Sequence, residues 1–288
     1  MKQCLRDGTE LEKRIWYSGM FNVMYRTYTG RAMLKVLTKP RVSDMAGRML
    51  SAKASRMLVK PFVWSYKIDL SECEETKYRS YNEFFSRKIR AEARPIEDDP
   101  RRLISPCDSQ LLVLPITENG RFAVKGSSYS MRSLLRNEEL AAEYYGGQLL
   151  IFRLGVDDYH RYCFAAGGRK SESVFIPGVL HSVCPGVYDH CKVYKENSRE
   201  YCVVQTEHFG DMLMMEVGAL MVGKIVNHHV GEWVERGAEK GYFQFGGSTV
   251  ILALKEGMAE IDADILANSR NNSETLVKYG ESIGTALT

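Results

Sequence analysis

The sequence predicts an α+β fold, with amphipathic helices at the N-terminus followed by a β-rich body. Three observations carry that expectation. In the first sixty residues, large apolar side chains recur at three- and four-residue spacing among basic residues, the pattern of a helix with one buried face. From about residue 103 the pattern changes to short apolar runs separated by turn residues, which suits strands. The chain has 288 residues, 44% hydrophobic and 26% charged, enough for one large globular domain or two small ones. The expected organisation is an N-terminal helical region over 1–80 and a β-rich domain over 81–288.

Residues 1–60 read as helical, broken near Pro40, and Pro61 interrupts the pattern again. The apolar stripe is carried by Trp16, Tyr17, Met20, Phe21, Met24, Tyr25, Met33, Leu34, Val36 and Leu37. Residues 80–92 read as a short helix, with Ser80 as its cap and Glu83 completing a capping box. Pro95 and Pro100 mark a linker-like passage. Strands are expected around Leu111–Leu114, Gln148–Leu154, Tyr201–Thr206, Met212–Val217 and Thr249–Leu254, with a turn at His208–Asp211. A helix around Ser130–Tyr145 interrupts them. The last twenty residues read as loosely structured, with Ser282-Ile283-Gly284 docking.

The overall charge of +3 conceals an asymmetry. Residues 1–67 hold fourteen Lys or Arg against four Asp or Glu, a net of +10. Interleaved with apolar residues, such a surface suits anionic lipid headgroups. Equally, the helices could pack on the domain and show a solvated basic face. Nucleic-acid binding is a third reading, with no recognised module to support it. The seven cysteines are scattered and form no CxxC pair, which reads as a reduced, cytosolic chain without a secretory signal. No run approaches the roughly 18 apolar residues that a membrane span needs, so any membrane role is expected to be peripheral. His228 and His229 are adjacent and would point to opposite faces of a strand, which argues against one metal taking both. His190 and His208 read as surface residues.

The chemistry concentrates at Gly246-Gly247-Ser248-Thr249-Val250. A hydroxyl that follows a glycine can attack that glycine's carbonyl from within the chain, and glycines leave no Cβ in the path of attack. Serine is a weak nucleophile without a neighbouring base. His160 is the first candidate for that base, with Asp108 orienting it in a Ser-His-Asp arrangement. Each element alone has a plainer reading: Gly-Gly-Ser before a strand as a turn, Ser105-Pro106-Cys107-Asp108 as a turn with a capping Asp, and Asp158-Tyr159-His160 as structure.

Their order along the chain is more specific. Asn82-Glu83-Phe84-Phe85-Ser86-Arg87-Lys88 is followed by Ala93-Arg94-Pro95-Ile96, Ser105–Asp108, Val124-Lys125-Gly126 and Asp158-Tyr159-His160-Arg161-Tyr162. Then come Gly178–Val183, Val217–Ile225 and Gly246-Gly247-Ser248. This series resembles the phosphatidylserine decarboxylase family, in its Gly-Gly-Ser-Thr subgroup. The resemblance implies a proenzyme that cleaves itself between Gly247 and Ser248, giving fragments 1–247 and 248–288 that stay associated and share the β-rich body. Ser248 would become a covalent pyruvoyl group, the electron sink for removing CO2 from phosphatidylserine and leaving phosphatidylethanolamine. Asp108, His160 and Ser248 are the implied catalytic residues, with His181 a secondary candidate for the proton donor. No metal is implied. A homodimer, peripheral on the cytoplasmic side of a bacterial cell membrane, is the implied setting. Two alternatives stay open: a pyruvoyl decarboxylase of a soluble amino acid derivative, and a non-cleaving lipid-binding homologue. The chain departs from the family pattern at Cys163, where many members carry a second histidine, and at Cys184, where many carry asparagine.

Overall fold

The computed structural model describes residues 2–11, 27–38, 40–124, 127–181, 193–219, 224–228, 231–244 and 248–287. Its centre is an eleven-stranded sheet. Across it the order is Trp233–Val234, Gly168–Lys170, Arg199–Thr206, Asp211–Val217, Ser248–Leu254, Gln148–Leu154, Ser109–Pro115, Ser273–Val277, Lys2–Cys4 and Glu10–Leu11, with Val174–Ile176 pairing beside Arg199–Thr206. The strand that opens with Ser248 is central and antiparallel to both neighbours, Asp211–Val217 and Gln148–Leu154. Every one of its seven residues is buried, because both faces of the sheet are covered. Ile251 and Ala253 pack with Ile151, Leu213 and Met215 on one face. Val250 and Leu252 pack with Leu150, Phe152, Met212 and Met214 on the other. The period of two thus sorts one strand into two cores.

A three-stranded sheet, Ile225–Asn227, Glu239–Phe243 and Arg161–Cys163, contributes Tyr162, Cys163 and Phe243 to the second core. A further sheet joins Ala259–Ile261, Ser282–Ala286 and Arg102–Ile104. Residues on either side of position 248 therefore share two sheets, as the α+β expectation requires.

Residues 1–60 are not helical throughout. Lys2–Cys4 is a strand parallel to Ser273–Val277, and Glu10–Leu11 pairs back on it. Such short strands carry too few residues to show a period. Arg6, just beyond the first strand, is anchored by Asp262, Asp264 and Glu281. Helices follow at Tyr28–Leu37, Pro40–Ser51 and Val59–Tyr66, with a 3-10 turn over Lys53–Leu58. Pro40 opens one helix and Pro61 lies in the first turn of another, positions where the missing N–H costs nothing. The apolar residues of 16–25 lie outside the described residues.

The expected helix at 80–92 is shorter, Tyr81–Phe85. Ser80 caps it by accepting from the Glu83 N–H, and the Glu83 carboxylate reaches back to Arg79 N–H rather than to Ser80. This helix is the joint between the N-terminal helices and the body. Val59, Tyr78, Tyr81, Phe84 and Phe85 form a small core with Phe62. Asn82 Nδ2 donates to Gly47 O, and Tyr81 N–H donates to Ser55 Oγ. The region Ser130–Tyr145 forms two short helices, Met131–Leu135 and Glu138–Ala142, instead of one. The expectation of a loose C-terminus is corrected: Ser273–Val277 and Ser282–Ala286 are buried strands, and Ile283 is fully enclosed.

Candidate active site

Ser248 is the first residue of the central strand and pairs with Leu154 at the end of Gln148–Leu154. Its side chain shares a face with Val250 and Leu252, toward the second core. The residue is fully buried, and its Oγ has no hydrogen-bond partner among the described residues. A buried hydroxyl without a partner costs about 1–3 kcal/mol, so the site carries an unmet polar demand. Gly246 and Gly247 lie outside the described residues.

His160 closes the loop that follows Leu154. Asp158 builds that loop: its Oδ2 accepts from the Gly155 N–H at 2.7 Å and from Gln110 Nε2 at 2.8 Å. The Asp158 carbonyl oxygen lies 2.8 Å from His160 Nδ1. A carbonyl can only accept, so Nδ1 carries the proton and Nε2 presents a lone pair. Nε2 is buried with no partner among the described residues. Phe85 packs on the imidazole, with ring centroids 3.9 Å apart. Burial lowers the His160 pKa from 6.5 to about 3, Arg87 pushes it the same way, and the Asp158 carbonyl opposes them. The ring is neutral at physiological pH.

Asp108 does not orient His160, contrary to the Ser-His-Asp expectation. Its carboxylate is taken by Arg94, with Nε at 2.9 Å from Oδ1 and Nη2 at 2.6 Å from Oδ2. The Tyr279 N–H also donates to Oδ1, at 2.8 Å. A bidentate guanidinium clamp satisfies the carboxylate more fully than one imidazole N–H would. Asp108 therefore ties the Ser105–Asp108 turn to residue 279, on the far side of the expected cleavage point.

Two groups that the motifs did not single out complete the region. Glu216, in the strand next to Ser248, is fully buried and pairs with Lys240, itself 2% exposed, at 2.5 Å. Asn227 Nδ2 donates to Glu216 Oε2 at 3.0 Å, and Tyr162 Oη donates to Asn227 Oδ1. Asn197, fully buried, accepts from the His181 N–H and donates to the carbonyls of His181 and Gly218. The only signal for Glu216 was an acid inside the apolar run Met212-Leu213-Met214-Met215-Glu216-Val217.

Comparison with known proteins gives this geometry its context. The family model described as phosphatidylserine decarboxylase matches residues 81–285. A phosphatidylserine decarboxylase proenzyme 2 of Clostridium acetobutylicum is 43% identical over 278 residues, 94% of this chain and 95% of the relative. The proenzyme of Ruminiclostridium cellulolyticum is 39% identical over 274 residues, 93% of this chain and 91% of its own. That of Fusobacterium nucleatum is 36% identical over 285 residues, 97% and 95% of the two chains. The chain belongs to the phosphatidylserine decarboxylase family.

Within this decarboxylase family frame, the matched region opens at the helix that carries Phe85 onto His160 and closes in the last strand. His181 sits with its Nε2 3.6 Å from Glu196, and burial lowers its pKa. His228 Nε2 lies 2.6 Å from Glu239. His208 is half-buried at the surface. His190, His229 and Cys184 lie outside the described residues. Among the described residues, no group of three or more His, Cys, Asp or Glu is placed to hold a metal ion.

Proposed function

We propose that the chain cleaves itself between Gly247 and Ser248, and that the product decarboxylates phosphatidylserine to phosphatidylethanolamine and CO2. The observation that carries this reading is a fully buried Ser248 Oγ with no hydrogen-bond partner among the described residues, in a chain of this family. An isolated hydroxyl at the head of a buried strand, directly after two glycines, is poised for reaction rather than for packing. A pyruvoyl group at residue 248 fits the same place, because the surroundings already leave one polar atom unanswered. Once formed, that group supplies an electron sink for decarboxylation.

The chain's own residues do the rest. His160, fixed as the neutral Nδ1–H tautomer, is the proton carrier of the decarboxylation step, and His181 is the second candidate. Arg94, Asp108 and Tyr279 staple the larger fragment to the smaller. The substrate reaches the site from a membrane surface in this reading. Met45, Met49, Met57, Leu58 and Trp64 are exposed on the N-terminal helical region, among exposed Arg41, Arg48, Lys53, Arg56 and Lys60. This combination suits peripheral binding to anionic lipid on the cytoplasmic face. Among the described residues, no helix is long and apolar enough to cross a membrane. A homodimer belongs to the same proposal, tested by light scattering.

The test is a denaturing gel and the mass of the small fragment. Wild type yields two chains meeting at 247/248, and Ser248→Ala yields one. Two fragments from Ser248→Ala at the same junction refute the assignment of the nucleophile.

A further inference from the structure

We propose that Glu216 is the base that takes the Ser248 proton during self-cleavage, leaving His160 for the decarboxylation step. This rests on the self-cleavage reading above and assigns its proton acceptor.

The placement follows from register. Glu216 is directly opposite Val250 in the antiparallel pair of Asp211–Val217 and Ser248–Leu254. Ser248 lies two residues earlier on the same face, which makes it the diagonal cross-strand neighbour of Glu216. Diagonal neighbours sit about 7–8 Å apart, within reach of a long side chain. Both residues are fully buried. Glu216 Oε1 and Ser248 Oγ each have no hydrogen-bond partner among the described residues. One group can only accept while ionised and the other carries a proton, so the two are chemically complementary acceptor and donor, not yet hydrogen-bonded to each other in this structure.

The carboxylate is aimed by what holds its second oxygen. Lys240 Nζ and Asn227 Nδ2 both donate to Oε2, at 2.5 Å and 3.0 Å, and leave Oε1 unengaged. Burying two charges is often no more stabilising than apolar packing of the same volume, so cohesion alone does not account for the pair.

The other acceptors that the motifs offer are poorer. Burial lowers the His160 pKa to about 3, whereas burial raises that of Glu216 from its ordinary value, against the opposing pull of Lys240. Cys163, where many relatives carry a histidine, is pushed up to about 12 by burial and keeps its proton. Asp108 is clamped by Arg94.

The step balances. As Ser248 Oγ bonds to the Gly247 carbonyl carbon, its proton passes to Glu216 Oε1. The carbon–nitrogen bond then breaks, and the nitrogen of residue 248 takes that proton back. The result is an ester at Oγ, a free amine at residue 248 and a regenerated carboxylate.

The experiment follows processing of freshly translated chains on denaturing gels over time, with folding checked by thermal melting. The variants are Glu216→Gln, the apolar pair Glu216→Met with Lys240→Met, and His160→Asn. The two carboxylate-free variants are expected to cleave about 10²–10⁴-fold more slowly than wild type, the usual worth of a general base. The loss in Glu216→Gln is expected to exceed that in His160→Asn by about tenfold or more. A folded carboxylate-free variant that cleaves at the wild-type rate overturns the proposal, as does the reverse ordering. Should those variants fail to fold, Glu216→Asp decides. It keeps both charges and draws the carboxylate back by one methylene, and wild-type processing in it overturns the proposal. A wild-type chain that never processes overturns the self-cleavage reading as well, which separates the two failures.

Discussion

At the scale of single residues, His160 shows how burial sets chemistry. Its pKa falls from 6.5 to about 3 in the folded chain. Between those values the unfolded chain binds a proton that the native chain refuses. The stability associated with this group is therefore intact above about pH 6.5 and drains away as pH falls toward 3, by about 1.4 kcal/mol per pH unit. Urea midpoints at pH 7 and pH 5 measure this. Wild type should lose about 2 kcal/mol more than His160→Asn over that interval. Ser248 and His160 were legible in the sequence because their neighbours form recognisable motifs. The true partner of Asp108 was not, because nothing in the chain's order says that a cation fourteen residues earlier will outcompete the imidazole. Glu216 and Lys240 were hidden for a related reason: alternation marks a face, and only tertiary packing shows that a charged residue on a buried face has a counter-ion.

At the scale of elements, the turn Ser105–Asp108 is held as firmly as the strands around it. The Asp108 carboxylate engages both Arg94 and the Tyr279 N–H. Asp108→Ala leaves Nε and Nη2 of a largely buried guanidinium, still paired with Glu72 through Nη1, and the Tyr279 backbone donor unanswered, and should cost about 1–3 kcal/mol in urea unfolding. Asp108→Asn keeps one acceptor and should cost less. The central strands could be read from their Leu, Val and Ile runs. Ser273-Glu274-Thr275-Leu276-Val277 could not, since it begins with three polar residues. It is nonetheless interior, because Glu274 finds Arg153, Nε to Oε1 at 2.9 Å, across the sheet. Where a strand's inward groups are ionic and mutually paired, hydrophobicity is the wrong signal.

At the scale of the whole molecule, cleavage would cut the chain without dividing the fold. Residues 248–288 supply the central strand, a flank of the main sheet and most of a second sheet. The two fragments should co-elute under native conditions and separate only in denaturant, and elution of the small fragment alone would contradict this. The exposed apolar and basic residues of the N-terminal helices make a second prediction. Replacing Met49, Met57 and Trp64 by Asp should abolish sedimentation with anionic vesicles at unchanged melting temperature, and unchanged sedimentation would remove the membrane assignment. The helical character of this region was visible in its spacing, but its opening strand was not, being created by pairing with residues 273–275.

The most direct measurement is the mass of the purified active protein under denaturing conditions. The account predicts two chains joined end to end at 247/248, the smaller beginning with a pyruvoyl group in place of serine. An active preparation containing only the intact 288-residue chain, with Ser248 unchanged, would contradict it.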